Sequence, residues 1–177
     1  MAALALTTLK KFPLMHLVPL VLKVTTLTTG DWINIPGVKG VFLPQSFAIQ
    51  CSTANNAPDL GTVQYGVALS TAAYATVTTT TIAVDGAGAD ATTVREVPFY
   101  AAAKSGEIIE VLSETTPAAA TSTWTVRRGC LGTTPTAIAD NDYFCILNQI
   151  VIASTRVGAA EVIVFPYPNE SDADLFA

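Results

Sequence analysis

Residues that favour β-strands dominate this chain, and short turn signals divide it at close intervals. It holds 25 Thr, 17 Val and 11 Ile residues, whose branched Cβ favours extended backbone. Turn-forming clusters recur, among them Pro36–Gly37, Lys104–Gly106 and Asp140–Asp142. Short strands between frequent turns are typical of an all-β sandwich or barrel. Long helical periodicity is missing, and only Ala68–Tyr74 and Tyr100–Lys104 suggest a helical turn or two.

The pattern predicts an all-β fold with a β-sandwich or barrel-like core, negligible helix, and room for a small second β subdomain. We assign the core to residues 29–84 and 149–166, and a β-rich subdomain to residues 85–148. The predicted strands are Asp31–Ile35, Val41–Ser52, Gly61–Leu69, Val77–Val84, Val94–Phe99, Glu107–Ser113, Thr123–Arg128, Tyr143–Asn148, Ile150–Thr155 and Ala160–Pro166.

Charged residues are scarce, which limits the classes of protein to which the chain can belong. Only 13% of its residues are charged, against 50% hydrophobic, so it is neither disordered nor a coiled coil. Nine basic and fourteen acidic residues argue against a protein that mainly binds nucleic acid. A charge-poor surface is poorly solvated in a monomer, so we expect much of it to contact other protein.

The two ends of the chain are expected to contact partners. Residues 1–28 form an apolar arm or the first strands of the core, and Pro13 and Pro19 interrupt any continuous membrane-spanning helix. We therefore expect no membrane association. Residues 167–177 read as a solvated acidic tail, or as a docking peptide. The candidate partner contacts in these two segments are Phe12, Leu14, Leu17, Leu175 and Phe176.

Residues that could carry chemistry are few. The single histidine, His16, lies in an apolar stretch, and the three cysteines form no Cys-x-x-Cys pair. Cys130 and Cys145 could face each other across a hairpin, although buried free thiols fit the composition better. Glu107 and Glu110 are three residues apart and fall on opposite faces of a strand, which disfavours an acid pair. We predict no enzyme activity, no metal and no cofactor.

The segment from Gly106 to Leu147 is the most specific part of the sequence. It predicts a β-hairpin, a compact turn and a return strand, with Gly129 and Gly132 permitting positive φ and Thr133 bonding local backbone. Residues Ala137–Ala139 are expected to form an apolar plug before the return strand.

This segment resembles a module of tailed-bacteriophage structural proteins. The resemblance rests on an acidic strand residue, Arg128-Gly129, Gly132-Thr133 and the following alanines, and covers about forty residues; Asp140–Asp142 replaces the family's His and Gly. It implies an assembly role with no catalytic residues. It also implies that Arg128 is structural, held by Glu110 or Glu114.

The resemblance, the composition and the two ends together predict a virion protein. The leading expectation is a capsid decoration, or cement, protein that binds the major capsid protein and copies of itself as a homotrimer, after synthesis in the host cytoplasm. A neck, tail-tube or baseplate component is the alternative within the same class. A receptor- or glycan-binding module is the alternative of another class.

Overall fold

Strands form all the regular structure in the part of the chain that the computed structural model describes, residues 20–24, 32–35, 37–42, 48–51, 59–60, 63–85, 96–115, 121–152 and 160–167. The all-β prediction is confirmed. The strands are β1 (Leu20–Val24), β2 (Trp32–Asn34), β3 (Val41–Phe42), β4 (Ala48–Cys51), β5 (Asp59–Leu60), β6 (Val63–Ser70), β7 (Thr81–Asp85), β8 (Phe99–Ala103), β9 (Ile108–Thr115), β10 (Thr121–Cys130), β11 (Tyr143–Ile152) and β12 (Ala160–Pro166).

The larger sheet closes on itself as an antiparallel barrel. Its six strands follow the order β11-β6-β7-β10-β9-β8, and β8 pairs back with β11. β2 is an extra strand that pairs with the far end of β11, opposite residues 149–151, where β11 has parted from β8. Strands that precede and follow residue 85 in the sequence pair in this one sheet. The division into a core and a subdomain that begins at residue 85 stays a prediction.

The two helical turns that the sequence allowed do not form, because neither segment contains a helical residue. Tyr100–Ala103 lies in β8, and Ala68–Ser70 ends β6. Phe99 and Ala101 face the interior, while Tyr100 is buried on the outer face of the barrel. A strand covered on both faces reads as a continuous apolar run, which is easily mistaken for a buried helical turn.

Aromatic side chains fill the barrel interior around Trp124. Its indole meets the rings of Phe99 and Phe144 edge-on, each at 5.6 Å between centroids. Its Nε1 donates a hydrogen bond to Glu114 Oε1 at 3.0 Å. Ile138 enters this core from the loop between β10 and β11, which confirms it as an apolar plug, whereas its neighbours Ala137 and Ala139 are exposed.

The smaller sheet runs β1-β12-β4-β5, and β3 pairs with β12. The smaller sheet contacts the barrel where the segment that precedes β3 crosses the outer face of the barrel. Gly40 lies so close to Leu147 that a Cβ at this position would be 2.8 Å from the leucine Cβ. The Tyr65 hydroxyl donates to the Val41 carbonyl at 2.6 Å, and the Tyr167 amide donates to Gly40 O at 2.8 Å. The described residues include no helix that is long and apolar enough to cross a membrane.

Candidate functional site

Arg128 and Gly129 occupy a β-bulge near the end of β10. The register with β9 shifts between Arg127 and Cys130, so that Arg128 and Gly129 together oppose a single residue of β9. Gly129 has a φ of 64°, in the left-handed region that glycine enters with least strain. The alternation of buried and open residues along β10, in which Ser122, Trp124 and Val126 are buried, ends at this bulge.

The bulge needs glycine for a second reason, which is space. A Cβ at Gly129 would lie 2.8 Å from Cδ of Pro135 and 2.9 Å from the carbonyl oxygen of Thr133. Neither the proline ring nor the backbone can move away cheaply. The Arg-Gly pair of the sequence motif is therefore a requirement of the local backbone.

Arg128 forms a two-point ion pair with Glu107, the residue just before β9. Its Nε donates to Glu107 Oε1 and its Nη2 to Oε2, each at 2.7 Å. The same carboxylate accepts the Gly129 amide at 3.0 Å and the Thr136 amide at 2.9 Å. Because Arg128 Nη2 also donates to the Thr136 carbonyl oxygen, this ion pair ties three points of the turn from 128 to 136 together.

The expected partner of Arg128 was wrong. The resemblance implied Glu110 or Glu114. Arg128 pairs with Glu107 instead. Glu110 binds Arg127 at 2.7 Å, and Glu114 takes the indole hydrogen bond of the barrel core.

The charge on Glu107 is held in place by its surroundings. Burial of this side chain raises its pKa. The Arg128 ion pair and the amides of Thr136 and Gly129 lower the pKa by more than burial raises it, so the net shift is downward. Hydrogen bonds and charges that favour the carboxylate outweigh its desolvation here. Glu107 is therefore ionised at neutral pH.

Thr133 joins the rest of the turn to β9. Its hydroxyl donates to the Cys130 carbonyl oxygen at 2.8 Å and accepts the Ile108 amide at 2.9 Å. Leu131 and Gly132 precede it with φ of 53° and 74°. The predicted turn residues Arg128, Gly129, Gly132 and Thr133 thus lie in one hydrogen-bonded turn.

Glu110 forms a second ion cluster, on the outer face of the barrel. Its carboxylate lies 2.5 Å from Lys39 Nζ and 2.7 Å from Arg127 Nη2, and only 4% of its side chain is exposed. Lys39 also lies over the ring of Tyr100, 5.6 Å from its centroid. This cluster fastens the segment before β3 to the barrel. Sequence reasoning missed it, because a lysine between Gly37 and Gly40 carries no signal for a partner seventy residues away.

Glu107 and Glu110 therefore belong to separate ion clusters, each matched by its own cations. The two clusters hold the backbone of the turn from 128 to 136 and of the segment before β3 in place.

A shallow pocket of about 270 Å³ lies beside Lys39, lined by Gly37, Val38, Lys39, Glu96, Val97 and Pro98. Within the described ranges, no three His, Cys, Asp or Glu side chains are grouped so that they could hold a metal ion.

Cys130 and Cys145 are both free thiols. Cys145 pairs with Ala102, Ala102 with Ile108, and Ile108 with Cys130, so three strand spacings separate the cysteines. At about 4.8 Å each these spacings sum to roughly 14 Å along the barrel wall, so the cysteines lie on strands too far apart for a disulfide. Burial raises the pKa of both thiols.

The predicted partner contacts Phe12, Leu14, Leu17, Leu175 and Phe176 lie outside the described residues. Comparisons of the chain with protein-family models, with curated proteins and with solved structures find no match.

Proposed function

We propose that this chain is a structural protein of a tailed-bacteriophage virion, and specifically a decoration protein that binds the outside of the capsid shell. The observation that carries the proposal is the turn from 128 to 136. Arg128 and the Gly129 amide bond to the buried Glu107 carboxylate, and the Thr133 hydroxyl bonds to the Cys130 carbonyl oxygen. A motif used in this way stabilises a scaffold, which is what an assembly role requires.

The surface of the barrel supports the same proposal. Large apolar side chains stand exposed on it, and those of Val67, Val77, Leu112 and Tyr143 are each at least 40% accessible. In a chain with so few charges, such side chains fit burial against neighbouring subunits. Apolar contact contributes about 25 cal/mol per Å² before the costs of association, so a modest contact repeated over a shell resists expansion.

The proposed mechanism is mechanical and uses no catalytic residue or cofactor. The barrel presents its loops and outer face to the major capsid protein and to further copies of this chain, in a trimer centred on a threefold position of the shell. The ion clusters of Glu107 and Glu110 keep that framework from deforming under load.

Imaging of purified particles tests the proposal directly. We expect density for this barrel on the outer surface of the head, in hundreds of copies. About a dozen copies at the neck, or rings in the tail, would overturn the decoration assignment in favour of a neck or tail component. Absence of the chain from purified particles would overturn the virion assignment itself.

A stability experiment tests the cement role separately. Particles stripped of this chain should release DNA at a lower temperature than intact ones and should survive low salt less well, and adding back the purified chain should restore their resistance. Bovine serum albumin at equal concentration is the control. Stripped particles that survive heat as well as intact ones would contradict the role.

A further inference from the structure

The barrel wall is interrupted beside β11, at the point where this strand changes neighbours. Its ladder with β8 ends at Ile146, which lies opposite Ala101. Its ladder with β6 breaks between Ile146 and Ile150. One residue before Ala101, the Tyr100 amide donates to the Lys39 carbonyl oxygen at 2.6 Å, an acceptor that belongs to neither β9 nor β11. We call the place beyond Ile146 where β8 and β11 part the seam.

Residues 37–40 cross the seam, and we call them the strap. Just before them, the Ile35 amide donates to the Asn148 carbonyl oxygen of β11 at 2.9 Å. At the other end, Lys39 accepts the Tyr100 amide of β8. Backbone hydrogen bonds at the two ends of this crossing therefore take the place of the continuous ladder that joins β8 to β11 as far as Ile146.

The side chain of Lys39 fastens the strap to the barrel. Its Nζ lies 2.5 Å from Glu110 Oε1 on β9 and 5.6 Å from the centroid of the Tyr100 ring. The glutamate side chain is only 4% exposed, whereas that of the lysine is 28% exposed. Solvent and salt therefore reach the lysine end of this ion pair.

Packing around the strap is incomplete on one side. The pocket of about 270 Å³ lies between residues 37–39 and residues 96–98, where a closed wall would be filled by side chains. Asn148, at the seam, is 1% exposed and donates its Nδ2 to the Glu96 carbonyl oxygen at 3.3 Å. Among the described residues no donor meets its Oδ1. A buried acceptor without a donor costs free energy, which water entering an opened seam would return.

We propose that the strap opens and closes the seam of the barrel, and that the ion pair between Lys39 and Glu110 holds it closed. Opening releases the Tyr100 amide and uncovers the side chains of Tyr100 and Leu147, which are buried in the closed form. An uncovered strand edge is a surface on which another chain can add a strand, so the strap controls whether this edge is available. The inference does not rest on the virion role, since all of its contacts lie within one chain.

Hydrogen exchange of single amides, followed by NMR at one pH, tests the proposal. The Tyr100 amide reports on the seam, because its acceptor is in the strap. Two reference amides have acceptors elsewhere. The Ala103 amide, on the same strand, donates to the Glu107 carbonyl oxygen, and the Val126 amide of β10 donates to the Thr80 carbonyl oxygen, each at 2.8 Å.

The unaltered chain gives the first result. We expect the Tyr100 amide to exchange at least about tenfold faster than the Val126 amide, after correction for their intrinsic rates, because a local opening needs less free energy than unfolding of the barrel. Low concentrations of urea should leave the Tyr100 rate nearly unchanged, since lifting four residues exposes little surface. Equal rates that rise together with urea would mean that the seam opens only when the whole barrel unfolds, and would overturn the proposal.

Three variants test the role of the ion pair. Lys39→Met removes the charge and keeps an unbranched side chain, and Gly40→Ala places a Cβ 2.8 Å from that of Leu147. Lys104→Met is the matched control, because this lysine pairs with Asp142 and not with the strap. We expect the first two to accelerate exchange at Tyr100 about tenfold, or about 1.4 kcal/mol, with Ala103 and Val126 unchanged. The control should leave all three amides unchanged.

Salt separates the ion pair from the other contacts of the strap. Sodium chloride at high concentration should accelerate exchange at Tyr100 in the unaltered chain more than in Lys39→Met, because the variant has no charge to screen. Equal acceleration of Tyr100 and Val126 in Lys39→Met would show that the ion pair stabilises the whole barrel, and an unchanged Tyr100 rate would show that it does not hold the strap. Either result overturns the proposal, and neither depends on whether Gly40→Ala folds.

Discussion

Replacing Glu107 with glutamine should destabilise the chain more than any other change of a single charge that we consider. Glutamine keeps the size of the side chain but substitutes an NH2 donor for an acceptor. This donor would face the donors of Arg128 and the amide of Gly129 or Thr136. The Arg128 side chain is only 5% exposed, so it would be left as a buried charge without its counterion.

The magnitude follows from that burial. Removing one partner of a buried ion pair costs about 3–5 kcal/mol. In a domain of this size each kcal/mol lowers the midpoint of thermal unfolding by about 2–4 °C, so Glu107→Gln should lower it by about 6–20 °C. Thermal and urea unfolding followed by circular dichroism measure both quantities.

Two matched controls make the experiment specific. Glu110→Gln should cost less, about 1–2 kcal/mol, because its cations Arg127 and Lys39 are partly solvated and can recover water. Glu96→Gln changes an exposed carboxylate and should alter stability by no more than about 0.5 kcal/mol. The reasoning is refuted if Glu107→Gln costs no more than Glu96→Gln.

Further expectations follow from the turn and the cysteines. Because the folded-state pKa of Glu107 is lowered, its stabilising contribution is complete above the ordinary value of 4.5 and is lost as pH falls through the lower folded value. Acid titration of unfolding should therefore show a weaker pH dependence in Glu107→Gln as the pH falls from 4.5 through the lower folded value, and an unchanged profile would argue against the ion pair. Gly129→Ala should cost more in urea unfolding than Gly37→Ala. Both glycines have positive φ, but only at Gly129 would a Cβ meet a proline ring and a carbonyl oxygen; equal costs would contradict this. Cys130 and Cys145 should both remain free after mild oxidation of the monomer, and a mass loss of about 2 Da from a disulfide between them would exclude the strand order described.

Local preference made the fold class and many of the strands predictable. Branched residues such as those of Thr81–Asp85 and Thr121–Cys130 lie where strands were expected, because their restricted χ1 fits a pleated surface in almost any β fold. The positive φ of Gly129 and Gly132 was also predictable, since glycine is the residue that enters this conformation with least strain.

The partner of Arg128 was not predictable, for a geometric reason. The resemblance implied Glu110 or Glu114, and neither of them bonds Arg128 in the structure. The Glu107 carboxylate also accepts the amides of Gly129 and Thr136, so its position depends on how the whole turn from 128 to 136 folds back on β9. A sequence pattern does not show which carboxylate such a turn will enclose.

The sequence by itself determined that the chain is all-β, that its surface is short of charge, and that the segment around Arg128 makes a compact turn. These properties depend on side-chain shape, composition and neighbouring residues. Only the tertiary structure decided between sandwich and barrel, because closure depends on the pairing of β8 with β11 across more than forty residues. It also decided which glutamate meets which cation, since Lys39 and Glu110 are brought together by the packing of one sheet on another. Contacts between distant segments come from the free energy of the whole fold, and no local pattern encodes them.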